Sequence, residues 1–206
     1  MRIILFTFSL LMSMMNCNAQ KTIELPQPDK NVSMSLYEAL DRRASVREFS
    51  SKEISDALLS QILWAACGKN RSDGRITAPS ALNAQDVMVY VCRKDGAFLY
   101  DAQNNTMIQV SNKDLRKAVA GRQDFASQAP VSLVLVSDLN KLPNANKVLG
   151  ALDTGYVSEN ICLACVALGL ATVPRATMDM RILSEELGLK ENQVLMLNNP
   201  IGYPLK

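Results

Sequence analysis

Two short stretches carry side chains suited to holding a charged, planar ligand. In DRRASVREFS, residues 41–50, Arg42, Arg43 and Arg47 surround Ser45 where a helix is expected to end and an extended segment to begin. Guanidinium groups bind phosphate oxygens bidentately, and a hydroxyl with free backbone N–H groups beside them completes an anion clamp. The same arginines also suit a solvated helix C-terminus, where cations favour the dipole. The second stretch, TAPSALNAQD at 77–86, runs straight into the apolar VMVYVC. Pro79 holds the backbone open, Ser80 and Ala81 permit close approach, and Asn83 and Gln85 offer paired donors and acceptors. Such amides suit a flat ligand with edge carbonyls and ring nitrogens, and they equally suit a loop closed on itself by Asx-type bonds. Neither stretch decides its own reading.

The composition narrows the chemistry. The chain of 206 residues contains no His. That excludes Ser-His-Asp and Cys-His catalysis, His-based metal sites and His proton shuttles. Reactivity must come from carboxylates, thiols, Arg or Lys, or from a bound cofactor. A net charge of +2 with scattered basic residues gives no track for nucleic acid or an acidic membrane. The length fits one sizeable domain.

The elements that must position these residues follow from pattern. Ser35-Leu-Tyr-Glu38 and Ser50-Ser-Lys-Glu53 have the spacing of capping boxes, predicting helices over LYEAL and ISDALLSQILWAACG, the second stopped by Gly68. DVMVYVC, GAFLYD and TMIQVS read as strands, NKDLRKAVA and RQDFASQAP as short helices. VSLVLVSD is a nearly continuous apolar run, hence a central strand buried on both faces. Residues 151–168 predict one long apolar-rich helix, followed by a short strand at ATV, a helix over MRILSEELGL and a last strand over QVLMLNNPIGY. The order gives an α+β chain with helices on a central sheet. The long helix is apolar round much of its circumference, which in a chain this small points to a subunit interface.

Residues 1–19 read as an export signal: Arg2, the apolar stretch from Ile3 to Met15, and cleavage after Ala19. The expected location is exported and periplasmic, with a lipid anchor through Cys17 as the alternative. Residues 20–34, polar and punctuated by Pro, read as a linker, and residues 35–206 as the functional domain. Cys162 and Cys165, in CLAC, read as small buried residues on one helix face rather than a redox or metal pair.

In combination and order, RRASVREF, ILWAACGKNR, TAPSALNAQDVMVYV, FASQAP, LGLATVP and NNPIGYP resemble the nitroreductase family of FMN-dependent flavoproteins, over essentially all of residues 36–206. The resemblance implies a nitroreductase-like α+β fold, a central mixed or antiparallel sheet flanked by helices, forming an intertwined homodimer with two FMN sites at its interface. The R-x-S-x-R/K element that holds the FMN phosphate and ribityl chain falls on Arg43, Ser45 and Arg47, with Ala44 contributing backbone. The P-S-x-x-N element, which reaches the ring from the partner subunit, falls on Pro79, Ser80, Ala81 and Asn83, with Gln85 following. The Gly-Leu-x-x-x-Pro element sets Pro174, Arg175 and Ala176 near N5 and the pyrimidine edge. Lys206 stands where shorter members supply a phosphate-side charge. One departure is PRATMD, where many relatives have Glu-Gly soon after the Pro, so the hydrogen bonding around N5 differs.

What the resemblance implies is an FMN-dependent oxidoreductase passing a hydride through flavin N5 to a small organic acceptor, nitroaromatic or quinone, by a ping-pong mechanism. The alternatives are a thiazoline/oxazoline-dehydrogenase-like flavoenzyme, which usually departs at the position of Asn83, and a flavin-binding or processing protein without acceptor turnover. A non-catalytic interaction protein is a further reading. NAD(P)H is the expected donor if the chain stays in the cytoplasm; export implies another reductant. No metal and no nucleic acid are expected, and no membrane contact beyond the signal segment.

Overall fold

The apolar run at 131–138 does form the middle of the sheet. In the computed structural model, which describes residues 21–205, β5 (Val131–Asp138) lies between β2 (Val87–Arg93) and β7 (Gln193–Gly202). The expected leader, Cys17 and Lys206 lie outside the described residues. Outward from β2 come β3 (Gly96–Asp101), β4 (Thr106–Ser111) and β1 (Thr22–Glu24), and beyond β7 lies β6 (Ala171–Thr172). Every pairing in this seven-stranded sheet is antiparallel.

Because side chains alternate across a strand, β2 and β5 each feed two cores. Val89, Val91, Leu133 and Leu135 point to one face, where α2 (Asp56–Cys67) and α4 (Lys147–Ala167) cover them with Leu59, Ile62, Leu63 and Ile161. Tyr90, Cys92, Val134 and Val136 point to the other, beneath α3 (Arg116–Ala120) and α5 (Met180–Glu186). Each fully buried Leu or Ile contributes about 1.5–3 kcal/mol of apolar transfer free energy. The result is a three-layer α+β sandwich, as expected.

Three local expectations change. The segment read as a linker carries β1, which pairs with β4, and it is sewn down by side chains. Asn105 donates from Nδ2 to the carbonyls of Leu25 (3.2 Å) and Pro26 (3.0 Å), and the Ser60 hydroxyl donates to Pro26 at 2.5 Å. Second, Ser35 caps α1 (Leu36–Arg42) by accepting from Glu38 N, but α2 is capped by Ser55 rather than Ser50. Phe49 and Ser50 instead pair with Pro204 and Tyr203 near the C-terminus, which keeps that stretch extended. Third, α4 starts four residues early, because Asn146 accepts from Val148 N (2.9 Å) and Leu149 N (3.2 Å).

Asn105 also sits at φ 54, a left-handed conformation that Asn tolerates better than most residues. Asn105→Ala is therefore expected to cost about 1–3 kcal/mol in urea unfolding, and to speed amide exchange at residues 22–25 more than in β5. Unchanged protection of residues 22–25 would mean that the β1–β4 ladder holds without it.

Candidate functional site

Helix α1 ends at Arg43, whose N–H still bonds to Ala39 O (2.9 Å) while its ψ of 121 turns the chain out. The next residues run beside β6, with Val46 N donating to Thr172 O at 3.1 Å. This fixes the alternation. Val46 and Phe49 tuck onto Ala129, Ala171 and Val173, whereas Ser45 and Arg47 face outward. Arg42 is committed to Glu38 at 2.7 Å. Among the described residues the guanidiniums of Arg43 and Arg47 have no ion-pair or hydrogen-bond partner, and the N–H groups of Ala44, Ser45 and Arg47 donate to nothing. Two unpaired guanidiniums and three free amides beside a sheet edge are the donor set for a phosphate.

The Pro79–Gln85 loop is held in a conformation its sequence does not favour. Leu82, Asn83 and Gln85 all have positive φ (51, 56 and 46), each a strained state for a non-Gly residue. The surroundings fix it. Ser80 Oγ accepts from Gln85 N (2.9 Å), Lys141 Nζ donates to Gln85 O (2.9 Å), and Ala81 N donates to both carboxylate oxygens of Asp153 (3.0 and 2.9 Å). The Asn83 side chain is exposed; Gln85 Nε2 donates to Asn83 Oδ1 at 3.3 Å and to Gly74 O at 3.4 Å. The Asx-type self-closure considered from sequence is therefore partly present, but the backbone is set from outside the loop.

Asp153 was not singled out in the sequence, nor was Asp86, which lies against it. Both are buried, and Asp86 Oδ2 accepts from Ser137 Oγ while Oδ1 has no hydrogen-bond partner. Burial pushes the Asp153 carboxyl up to about 6; the Ala81 N–H pulls it down and Asp86 adds to the rise. The available signal was a lone carboxylate interrupting the apolar LGALDTGYV.

Pro174, Arg175 and Ala176 leave β6 with Pro174 and Ala176 exposed and Arg175 buried. Arg175 pairs its backbone with Asn198 of β7 in both directions (2.8 and 2.7 Å). Its guanidinium turns inward, donating to Gln123 Oε1 (2.9 Å), Asn198 Oδ1 (2.8 Å) and the carbonyls of Val119 (3.3 Å) and Ala120 (2.7 Å). Neither its side chain nor its backbone N–H is free for a ligand, so Arg175 acts as a fastening of the strand end and not, as expected from the sequence, as a ligand group. A cavity of about 920 Å³ opens beside Ala176, between α3 and the start of α5.

The arginine element and the 174–176 strand end are brought together at the β6 edge; the amide loop is not. The helix α1 that leads into the arginine element and the amide loop both pack against α4, the loop through Asp153. Cys162 and Cys165 are buried and free on one face of α4, as expected, and burial pushes the Cys162 thiol up to about 11.

A three-layer antiparallel α+β fold with a phosphate-type donor set at one sheet edge and an amide loop on the same long helix is the arrangement of a flavin-holding oxidoreductase scaffold. The comparisons specify which. The nitroreductase family model matches residues 40–203. A solved nitroreductase-type structure from Ralstonia eutropha is 34% identical, covers 92% of each chain and superposes with a TM-score of 0.84. A nitroreductase-type protein of Methanocaldococcus jannaschii is 27% identical over 90% of this chain and 98% of its own length. The FMN reductase [NAD(P)H] of Bacillus subtilis is 26% identical over 68% of this chain and 53% of its own. The chain belongs to the nitroreductase family of FMN-dependent oxidoreductases.

Replacing Arg175 by Ala leaves two buried acceptors, Asn198 Oδ1 and the Val119 carbonyl, without their donor, while the Ala120 carbonyl keeps Gln123 N–H. The expected cost is about 2–6 kcal/mol in denaturant unfolding, at about 1–3 for each buried acceptor left unsatisfied. A loss below about 1 kcal/mol, the scale of a surface contact, would return the guanidinium to the set of ligand groups.

Proposed function

We propose that this chain is a homodimeric flavoenzyme whose two FMN sites each join the arginine element of one protomer to the amide loop of the other. It would pass a hydride from a small donor to a small organic acceptor of nitroaromatic or quinone type, in ping-pong order. The observation that carries the reading is the donor set at the β6 edge: among the described residues the Arg43 and Arg47 guanidiniums are unpaired, and the N–H groups of Ala44, Ser45 and Arg47 have no acceptor.

FMN, when bound, supplies the hydride chemistry at N5. The protein's part is to bind, orient and exclude water. Arg43 and Arg47, with Ala44 and Ser45, would hold the phosphate and ribityl chain; Ser80, Asn83 and Gln85 of the partner subunit would meet the ring edge. Pro174 and Ala176 would flank the ring, with Arg175 fixing their strand from beneath. No side chain need move a proton in hydride transfer, which fits a chain without His. Charge from Lys206 at the phosphate belongs to the same proposal.

The dimer is supported by where the exposed apolar side chains fall. Val148, Leu152 and Tyr156 are 68%, 52% and 49% exposed and recur every fourth residue of α4, and Leu36, Tyr37 and Leu40 extend the surface on α1. A second copy crossing α4 at this surface would bring its amide loop toward the arginine element of the first. The leader reading adds export with cleavage after Ala19, and the donor follows location: NAD(P)H in the cytoplasm, another reductant outside it.

The purified protein is expected to carry oxidised-flavin absorption or to take up added FMN; a colourless protein that binds none overturns the reading. Bound flavin with no acceptor-dependent reoxidation under anaerobic stopped flow would instead identify a carrier. Arg47→Ala should weaken FMN binding by about 1.5–3 kcal/mol through loss of a charge-assisted contact, and unchanged affinity removes Arg47 from the site. Leu152→Glu with Tyr156→Glu should give a monomer by sedimentation that loses FMN at the same time. The mature N-terminus in an envelope fraction is expected at Gln20, and an intact Met1 in the cytosol excludes export.

A further inference from the structure

The geometry points to Asp86 and Asp153 as a shared-proton latch, two positioning carboxyls that fasten the flavin-facing loop to α4 in acid and release it as pH rises. The inference rests on the FMN reading for the loop's role, and on the hydrogen bonding at the loop's two ends for the latch. Asp153 takes Ala81 N–H on both oxygens, at 3.0 and 2.9 Å. It is the side-chain anchor of a segment in which three non-Gly residues have positive φ. Asp86, at the loop's other end, is fully buried; one oxygen is held by Ser137 Oγ and the other has no donor. Gly150, one turn before Asp153, permits this approach, since a Cβ there would overlap the Ser137 hydroxyl.

Two buried carboxylates side by side cannot both ionise cheaply, and a proton held between them supplies the donor that Asp86 lacks. The neighbouring charges offer no substitute. Lys141, on the turn after β5, donates to the Gln85 carbonyl, and Asp138 accepts from Asn140 and Gln193. On the 70–76 loop behind Gln85, Arg71 bonds to Asn70 and the Ile76 carbonyl, and Arg75 pairs with Asp73. On α4, Lys147 is exposed at the helix start and Glu159 is exposed beyond Asp153.

The sign follows from burial. The Asp153 carboxyl is raised from its ordinary 3.8 to about 6, so protons favour the fastened form. Its contribution is complete below about pH 3.8 and is lost as pH rises through about 6. Above that range the Asp153 carboxyl has lost its proton, and the loop must carry its backbone strain against a buried charge.

Asp86→Asn tests this without emptying the site. The amide oxygen can still accept from Ser137, and its N–H₂ donates to Asp153 at every pH. FMN affinity of the apoprotein is measured by quenching of flavin fluorescence between pH 5 and pH 8. Because the FMN phosphate loses its second proton in the same range, the readout is the wild-type Kd divided by that of Asp86→Asn. That ratio should rise roughly tenfold across the range, and Asp153→Ala should bind weakly throughout. A ratio that stays flat overturns the latch. Melting of the two apoproteins gives a readout independent of FMN. Wild type should lose Tm relative to Asp86→Asn from pH 5 to pH 8, and parallel melting curves overturn the latch as well. If neither protein binds FMN at pH 5 while the Tm difference appears, the functional reading fails and the latch stands.

Discussion

The amide of Ala81 donates to both oxygens of Asp153 across 72 residues of chain, and the placement of the amide loop follows from that contact. Asp153 is carried by α4, which packs on α2, β5 and β7 and is the longest helix among the described residues. A loop with three left-handed non-Gly residues would relax if it were free. Tied to a buried carboxylate on a rigid helix, it keeps Asn83 facing outward. The same helix also packs against α1, at whose end the arginine element begins. The helix that carries Asp153 thus fixes where the amide loop sits against the sheet.

The fold was legible where burial and period agree. From Val131 to Val136, β5 carries a single polar side chain, that of Ser132, and its central place follows from that run. α1 was legible through Ser35. What pattern missed depended on partners distant in sequence. Thr22–Glu24 has no strand signature beyond three residues and exists because β4 offers it an edge and Asn105 clamps the segment that follows. Ser50 has the spacing of a cap, yet pairing of Phe49 and Ser50 with the C-terminal residues claims that backbone first.

The candidate site divides in the same way. Arg43, Ser45 and Arg47 stand out by type and order, and among the described residues the two guanidiniums have no partner. Arg175 could not: a guanidinium beside an expected ring edge looks like a ligand group until its acceptors are known. Those acceptors are the carbonyls of Val119 and Ala120, with Gln123 and Asn198, on three other stretches of chain. Asp86 and Asp153 were invisible for a related reason, since each is a single acidic residue whose meaning lies in facing the other.

Turning Arg175 inward has a consequence for any ring held at the β6 edge. The one guanidinium in that segment satisfies helix-end carbonyls of α3 and fastens β7 to the strand end through Asn198, so it brings no cation to the ring. Pro174 and Ala176, exposed on either side of it, offer only backbone. Under the flavin reading the positive charge of the site is thus concentrated at the phosphate end, on Arg43 and Arg47, while the ring end is met by neutral amides. Such a division favours strong anchoring with weak electrostatic bias at the reacting edge, and it leaves the position of the loop amides, fixed by Asp153, as the chain's main means of adjusting how that edge is bound.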